Sequence, residues 1–440
     1  MNKTKGLISI KGGVFMKRGD MRYQAYVQIL KEELVGAMGC TEPIALAYAA
    51  ALAREILGEM PNRVQIEASG SIIKNVKSVI VPNTNHLKGI PAAAAAGIVA
   101  GKADKKLEVI AEVTKEETDG IKEFLDNTEI MVRHIDHGIT FEIVVTVYKE
   151  ERYAKVRIAN YHTNVVLIEK NGETLHRLPV VGESEDGLTD RSILNVEDIL
   201  TFANTVDVAD VREVLMRQVA CNVAISEEGL RGNYGANVGR VLLEAYGDSV
   251  MIRAKAKAAA GSDARMNGCE LPVIINSGSG NQGMTTSLPV IEYAKELQVG
   301  EEKMLRALAL ANLITIHQKT GIGRLSAFCG AVSAGAGAGA GIAYLLDGSL
   351  EAISATITNA LGNVSGMVCD GAKASCAAKI ASAVEAGILG YHMYKCGQCL
   401  QAGDGILGEN IEQTICNVGR LGKRGMKLTN EEIIKIMVGE

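Results

Sequence analysis

Three of the nine cysteines in this 440-residue sequence lie in two short segments that contain glycine. Cys329 lies in RLSAFCGAV, whereas Cys369 and Cys376 are seven positions apart in GMVCDGAKASC. Thiolates are the soft ligands of iron–sulfur clusters, which commonly take four of them per cubane. Cysteine is also among the residue types most often buried, so spacing alone favours three buried free thiols over a metal site.

Cys40 stands in GCTEP, between two segments with helical periodicity. Gly39 fits a helix end and Pro43 fits a first helical turn, so we expect one helix to stop and another to begin here. The positive end of a helix dipole stabilises a thiolate and lowers its pKa. Cys40 is therefore a candidate catalytic base or nucleophile, and a residue that merely flanks the helix start is the alternative.

Cys396 and Cys399 form a CxxC pair, which is half of a common zinc site. The sequence holds no second such pair to complete it. We favour two inert thiols here, and a role as accessory ligands stays open.

The run NSGSGNQG at 276–283 follows a predicted strand and formally contains GxGxxG, the dinucleotide-binding fingerprint. Pro289 comes where the fingerprint helix should continue, and no second parallel strand follows, so a dinucleotide-dependent oxidoreductase is disfavoured. The alternative is a loop whose backbone N–H groups and small polar side chains hold a carboxylate. Its candidate substrate-binding residues are Asn276, Ser277, Gly278 and Gln282.

Among the seven histidines, His317 ends a predicted helix shortly before the Cys329 segment. It is a candidate for orienting a substrate, and a solvent-facing histidine at a helix end is the alternative. His134 and His137 are predicted to lie on the surface.

The chain divides into stretches with different hydrophobic periods. Residues 21–60 and 190–440 carry apolar residues at helical spacing, whereas residues 61–189 alternate or are rich in β-branched residues. We predict an α+β fold, in which a mainly helical, discontinuous catalytic domain carries an inserted α+β domain at 61–189. Residues 1–20 are predicted to be a weakly ordered extension.

Within the insertion, alternation predicts strands at 64–68, 72–83, 107–114, 139–148, 154–160 and 164–169. Helices are predicted at 91–101 and 116–127, and outside the insertion at 196–230 and 304–318. The Gly/Ala run at 331–346 favours a closely packed helix, with a period-two strand as the alternative.

Composition excludes several classes of function. With 46 basic and 51 acidic residues, 4% aromatics and no Trp, the chain lacks the basic surface and stacking groups typical of nucleic-acid binding. It has no apolar run long enough to span a membrane and no signal-peptide pattern. An odd number of scattered cysteines argues against a disulfide framework. We expect a cytoplasmic protein without nucleic-acid or membrane partners, and a homo-oligomer stays open.

Several motifs together resemble those of the L-cysteine desulfidase family, which is related to the α-domain of iron–sulfur L-serine dehydratases. These motifs are GCTEP at 39–43, VPNT at 81–84, NSGSGNQG at 276–283, the Cys329 segment and the run from Asn363 to Lys379. The resemblance covers essentially the whole chain after residue 20. The last two cysteines are closer together here than in the dehydratases, so the sequence resembles the desulfidases more closely.

The resemblance implies a [4Fe–4S] cluster bound by Cys329, Cys369 and Cys376, with one iron left open for substrate. It also implies that Cys40 is catalytic. The expected reaction converts L-cysteine to sulfide, pyruvate and ammonia by α,β-elimination. An iron–sulfur L-serine dehydratase and a non-catalytic cluster-binding sensor are the alternatives.

Overall fold

A computed structural model describes residues 16–180 and 188–438. The fold is α+β with a mainly helical part, as the sequence predicts. The helices are α1 (Met21–Glu33), α2 (Thr41–Leu57), α3 (Gly70–Val76), α4 (Gly89–Ala100), α5 (Lys115–Asn127), α6 (Val196–Thr205), α7 (Arg212–Arg231), α8 (Val238–Tyr246), α9 (Val250–Met266), α10 (Gly280–Glu296), α11 (Glu301–Ile322), α12 (Gly330–Leu346), α13 (Leu350–Val364), α14 (Cys376–Lys395), α15 (Ile411–Arg420) and α16 (Lys427–Val438).

Six strands form one mixed sheet in the order β3-β2-β4-β5-β6-β7. All the strands of the described residues, including the two outside this sheet, are β1 (Gly36–Met38), β2 (Arg63–Ala68), β3 (Glu129–His134), β4 (Glu142–Lys149), β5 (Arg152–Ala159), β6 (Val165–Lys170), β7 (Glu173–Arg177) and β8 (Pro272–Ile274). Only the β2–β3 pair of this sheet is parallel. The short strands β1 and β8 pair separately and antiparallel, and they bring the segments before residues 40 and 276 side by side.

Helix α2 packs on strands β4 and β5 and against α4. A helix that precedes residue 61 therefore contacts the sheet that follows it. The domain division at residues 60 and 190 stays a prediction. Residues 1–15 of the predicted extension and residues 181–187 of the predicted insertion lie outside the described residues.

Two predicted strands are wrong. Residues 70–76 form helix α3, because Ile72 and Val76, four positions apart, both turn inward and are fully buried. Residues 103–108 form a 3-10 turn, and Leu107, Val109 and Ile110 after its start are all buried, which a half-buried strand would not allow. Strands β3 and β7 escape prediction because most of their side chains are exposed, so burial imposes little alternation on them.

The Gly/Ala run forms helix α12, at the centre of a bundle with α10, α11, α13 and α14. Its alternating glycines serve two faces of one helix. A Cβ on Gly335 would lie 2.3 Å from the carbonyl oxygen of Ala383 in α14, and one on Gly337 would lie 2.1 Å from Oγ1 of Thr315 in α11. The backbones thus approach too closely for any larger residue at these positions.

No helix within the described ranges 16–180 and 188–438 is long and apolar enough to cross a bilayer.

Candidate functional site

The segments that carry Cys329 and Cys369 are joined by their backbones. The N–H of Cys329 donates to the carbonyl of Met367 over 3.0 Å, and the N–H of Cys369 donates to the carbonyl of Ala327 over 2.6 Å. This pairing holds two segments that are distant in sequence in a fixed register. Cys329 and Cys369, two of the predicted cluster ligands, therefore lie on adjacent backbone segments.

Cys376 is brought to the same place by helix packing. Cys329 immediately precedes α12, and Cys376 is the first residue of α14. Residue 335 faces residue 383, and residue 339 faces residue 387, so the two helices run parallel. Following this register back to the helix starts places Cys376 level with Cys329. The N-terminal ends of two helices thus lie beside these thiols.

The loop between Cys369 and Cys376 rests on helix α3. Gly371 has φ +92°, and a Cβ there would lie 2.5 Å from the carbonyl oxygen of Lys74. Lys74, which is 3% exposed, donates from Nζ to the carbonyl of Cys369 over 3.2 Å. Helix α3, where the sequence predicts a strand, therefore places the buried Lys74 beside a predicted cluster ligand.

Neighbouring thiols affect the ionisation of Cys329 and of Cys376. Burial and, to a smaller extent, the nearby Cys369 and Cys376 thiols raise the pKa of Cys329 to about 12, while Lys379 opposes the shift. Burial also raises the pKa of Cys376, again with a contribution from Cys369. Cys329 thus lies within electrostatic reach of Cys369 and Cys376, and converting Cys329 and Cys376 to thiolates requires added positive charge.

Across residues 16–180 and 188–438, no three His, Cys, Asp or Glu side chains are close enough together to hold one metal ion. A cubane cluster uses a different iron for each thiolate and so needs its ligands further apart. Three half-buried thiols with Lys74 and Lys379 beside them are a donor set that fits a cluster.

Cys40 occupies the N-cap position of α2 and is 3% exposed. Its Sγ donates to Oε2 of Glu42 over 3.2 Å. Burial raises the pKa of Cys40 well above the usual value, and the Glu42 carboxylate raises it further. The expectation that the helix N-terminus lowers this pKa is wrong, because burial and an adjacent anion outweigh the dipole.

Cys40 and Cys376 belong to one small apolar cluster. Cys40, Val79 and Met266 are buried together, and Ala372 and Cys376 pack against them. The predicted catalytic cysteine and one predicted cluster ligand are thus neighbours in space.

A buried network of amides shapes the start of the 276–283 loop. Nδ2 of Asn276 donates to Oδ1 of Asn312 over 2.9 Å, and Oδ1 of Asn276 accepts from Ser277 over 2.8 Å. Ser277 has φ +49° and Gly278 has φ +79°, both in the left-handed region. The side chain of Asn276 makes its hydrogen bonds within the protein and helps to hold the loop; its role in substrate binding stays a prediction.

The loop also contacts the GCTEP segment directly. Oγ1 of Thr41 donates to the carbonyl of Gly278 over 2.8 Å. A Cβ on Gly278 would lie 2.8 Å from Cε1 of His162. Two motifs that are far apart in sequence therefore form one wall of the site, with Cys40 and Glu42 next to Thr41.

Gln282 links the loop to the cysteine segment. It is 5% exposed, and its amide lies against Gly330, where a Cβ would be 2.6 Å from Cδ of Gln282. Gly330 directly follows Cys329. Oε1 of Gln282 is buried without a hydrogen-bond partner, which leaves one acceptor free beside a predicted cluster ligand.

His317 lies elsewhere. Its Nε2 is 2.7 Å from Oε2 of Glu412 in α15, and the ring is mostly buried in that contact. This contact joins His317 to α15, and no hydrogen bond of His317 within the described residues reaches the loop or the three cysteines.

The glycine pattern of the loop does not form a dinucleotide site. Strand β8 pairs antiparallel with β1 in a two-stranded sheet, whereas the fingerprint requires a parallel βαβ unit. The expectation that Pro289 ends the following helix is wrong, since α10 continues through it. Pro289 lies beyond the first turn and only removes one internal donor.

The sequence does not single out several residues that lie at this site. These are Glu42, Lys74, Asn75, His162 and Arg265. Nδ2 of Asn75 donates to Oε1 of Glu42 over 2.9 Å, and the His162 ring lies against Gly278. Glu42 lies within the GCTEP motif, and Arg265 is a charged residue in the alanine-rich run AKAKAAAGSDARM.

A cavity of about 380 Å³ lies on the other side of the loop and is lined in part by Ser277. The cavity is also lined by the buried Glu33, which accepts hydrogen bonds from Arg324 over 2.9 Å and from Arg191 over 3.0 Å. Burial raises the pKa of Glu33, but the two arginines outweigh burial and lower it. Glu33 is therefore an ionised carboxylate held between two guanidinium groups.

The remaining predictions concern surface residues. Cys396 is exposed and Cys399 is half-buried at the end of α14. His134 and His137 are exposed, as the sequence predicts.

Comparison with known proteins places the chain in a family. Residues 104–435 match the model of the serine dehydratase alpha chain family. A UPF0597 protein of Desulfitobacterium hafniense is 62% identical over 97% of this chain and 99% of its own length. UPF0597 proteins of Lachnoclostridium phytofermentans and Treponema denticola are 54% and 48% identical, over 94% and 95% of this chain and 100% and 98% of their own lengths. The chain belongs to the serine dehydratase alpha chain family.

Proposed function

We propose that this protein is an iron–sulfur lyase that eliminates the β-substituent of a small amino acid, with L-cysteine as the favoured substrate. The observation that carries the proposal is the meeting of Cys329, Cys369 and Cys376 beside Cys40 and the 276–283 loop. Membership of the serine dehydratase alpha chain family supports a lyase.

In this proposal Cys329, Cys369 and Cys376 bind a [4Fe–4S] cluster. The bound cluster supplies a Lewis acid, in the form of one iron without a protein ligand. Lys74 and Lys379 offset the negative charge of the thiolates. Gln282 offers Oε1 to a ligand beside Cys329.

In this proposal the thiolate form of Cys40 accepts the substrate α-proton. Burial and the Glu42 carboxylate raise the pKa of Cys40, so its thiolate is a strong base. Burial opposes ionisation of Glu42, but the charge of His162 and hydrogen bonds from Cys40 and Asn75 lower its pKa. The ionised Glu42 positions Sγ through the 3.2 Å contact with Oε2. The β-sulfur then leaves as sulfide, and the aminoacrylate product reacts with water to give pyruvate and ammonia.

The second candidate is an L-serine dehydratase with the same residues, favoured by the name of the matched family. Hydroxide is a poorer leaving group than sulfide and needs more help from an acid. The Cys40 thiol, whose pKa burial and Glu42 raise, is a weak acid, which favours the sulfur substrate.

The test is anaerobic purification with iron and sulfide analysis, followed by assays of sulfide release from L-cysteine and pyruvate release from L-serine. We expect about four irons per chain and faster turnover of L-cysteine. Replacing Cys329, Cys369 or Cys376 by Ala should abolish the cluster absorbance, whereas Cys396→Ala, the matched control, should keep it.

Cys40→Ala separates the enzyme from a non-catalytic sensor. We expect it to keep the cluster spectrum and lose turnover. A preference for L-serine would overturn the choice of substrate, and an iron-free wild-type protein after anaerobic purification would overturn the proposal itself.

A further inference from the structure

Arg265 is a buried cation that lacks most of its partners. It is 2% exposed, near the end of α9, and is among the largest fully buried side chains of the protein. Its Nη1 donates to Oδ1 of Asn281 over 3.1 Å, whereas Nε and Nη2 have no hydrogen-bond partner. In the part of the chain that the structure describes, no carboxylate forms an ion pair with it. Burying a charge in this way is unfavourable unless something compensates it.

The two unpartnered donors lie on one edge of the guanidinium group. Nε–H and Nη2–H point in the same direction and form the fork that binds a carboxylate through two parallel hydrogen bonds. The third donor atom, Nη1, is occupied by Asn281 and fixes the plane of the group. The free edge is therefore held in one orientation before any ligand arrives.

This guanidinium lies among the residues of the proposed active site. A Cβ on Gly280 would lie 2.4 Å from its Nε, so the backbone of the 276–283 loop is directly against it. Its charge also acts on Cys40 and His162. Met266, the next residue, packs with Cys40 in the cluster that Cys376 contacts. The free donors are thus close to the thiol proposed to take the α-proton.

The surrounding groups fit the other end of an amino acid. Glu42 is ionised beside Cys40, and Oδ1 of Asn75 and Oε1 of Gln282 are buried acceptors without partners. The site thus holds free donors for a carboxylate on Arg265 and free acceptors for an ammonium group on Asn75 and Gln282. A zwitterion would satisfy both kinds, whereas a neutral or purely anionic ligand would satisfy one.

We propose that Arg265 binds the α-carboxylate of the substrate through Nε and Nη2. This inference rests on the proposed function, because it assumes an amino-acid substrate. It assigns the carboxylate to the protein and so leaves the cluster iron for the β-substituent. Arg265 is then a substrate-binding residue that fixes the α-carbon relative to Cys40.

The test measures binding and needs no turnover. L-alanine has the carboxylate and ammonium groups but no leaving group, and L-alaninamide differs from it only in the carboxyl position. On anaerobically purified holoprotein, we expect calorimetry to show L-alanine binding at least about tenfold tighter than L-alaninamide, because a charge-assisted double hydrogen bond is lost in the amide. Equal affinities in the wild type would overturn the inference.

Two variants then assign the preference to Arg265. Arg265→Met should bring the affinities for the two probes within about twofold of each other, and Arg265→Lys, which keeps the charge but loses the fork, should show an intermediate preference. The control is Arg253→Lys, on the same helix and paired with Glu292 over 2.8 Å, which should leave the preference unchanged. If the methionine variant does not fold, the lysine variant decides, and a preference unchanged from wild type would overturn the assignment.

Parallel turnover assays separate this inference from the proposed function. A preference that depends on Arg265 without release of sulfide or pyruvate would leave the carboxylate site standing and reject the lyase. Turnover of L-cysteine together with a preference that survives Arg265→Met would support the lyase and reject the role of Arg265.

Discussion

Two buried groups of charged residues lie on either side of the 276–283 loop, and they differ in how their charges are satisfied. Glu33 accepts hydrogen bonds from Arg191 over 3.0 Å and from Arg324 over 2.9 Å. Arg265 has one amide partner and two free donors. In the first group the charges pair with each other, whereas Arg265 has no carboxylate partner among the described residues.

The difference indicates separate roles. The Glu33 group joins α1, the segment at residue 191 and the end of α11. Losing one partner there leaves a buried charge uncompensated, which is costly. The Arg265 group already contains an uncompensated charge, so its removal should affect binding more than folding.

The largest effect is expected from Glu33→Gln. It should lower the free energy of unfolding by about 3–5 kcal/mol, because it removes the buried charge that Arg191 and Arg324 both contact. Urea denaturation measures the change. Glu301→Gln, which breaks the exposed pair with Arg212, is the control and should cost less than about 1 kcal/mol. A loss below that value in Glu33→Gln would show that the group is not a structural tie.

The next effect concerns His162, which lies between the two groups. Burial is the main cause that lowers the pKa of this histidine to about 4. The unfolded chain binds a proton at His162 near pH 6.5, and the folded chain does not. The contribution of the neutral His162 to the free energy of unfolding is therefore fully present above pH 6.5 and is lost as the pH drops toward 4.

His162→Gln should therefore lose less stability than the wild type between pH 7 and pH 4.5, by up to roughly 3 kcal/mol. Urea denaturation at both pH values gives this difference. Identical losses in the two proteins would mean that His162 is protonated in the folded state.

A smaller effect is expected from Gly278→Ala. The left-handed backbone makes a Cβ unfavourable by about 1–2 kcal/mol, and this Cβ would also meet the His162 ring at 2.8 Å. Gly138→Ala is a matched control, because Gly138 has φ +74° and open space around its Cβ. Thermal unfolding should show a larger loss at Gly278, and equal losses would mean that the ring moves aside freely.

The smallest effect on stability should come from Arg265→Met. Methionine fills similar space and removes two unsatisfied donors, so the free energy of unfolding should change by less than about 1 kcal/mol. Arg191→Met, which strips Glu33 of a partner, should cost several times more. A large loss of unfolding free energy in Arg265→Met would mean that Arg265 stabilises the fold as the Glu33 group does. The two groups would then not differ in role.

Local pattern predicts much of the fold because it reflects burial along one element. The helices around residues 91–101 and 304–318 and the central strands β4, β5 and β6 follow directly from their apolar spacing. Pattern fails at 72–83, where β-branched residues suggest a strand but the buried positions are four apart. The error hides Lys74 and Asn75, since a strand would point these neighbours to opposite faces.

The site is harder to predict than the fold because its contacts join distant segments. The family resemblance provides the three cysteines and Cys40, and the sequence provides the loop. The sequence gives no sign that Thr41 reaches Gly278 or that Cys40 shares a cluster with Cys376. His162 has no local feature that marks it, and the raised pKa of Cys40 depends on burial that only the folded chain reveals.

The close contact of α12 and α14 has a consequence for how the metal centre is assembled. Because close backbone contacts at residues 335, 339, 383 and 387 set the spacing of these helices, the positions of Cys329 and Cys376 are determined by the polypeptide alone. Iron and sulfide would then enter a finished scaffold and would not be required to build it, in contrast to a zinc finger. A sample bleached by air should therefore stay folded and recover its colour when iron and sulfide are returned under argon.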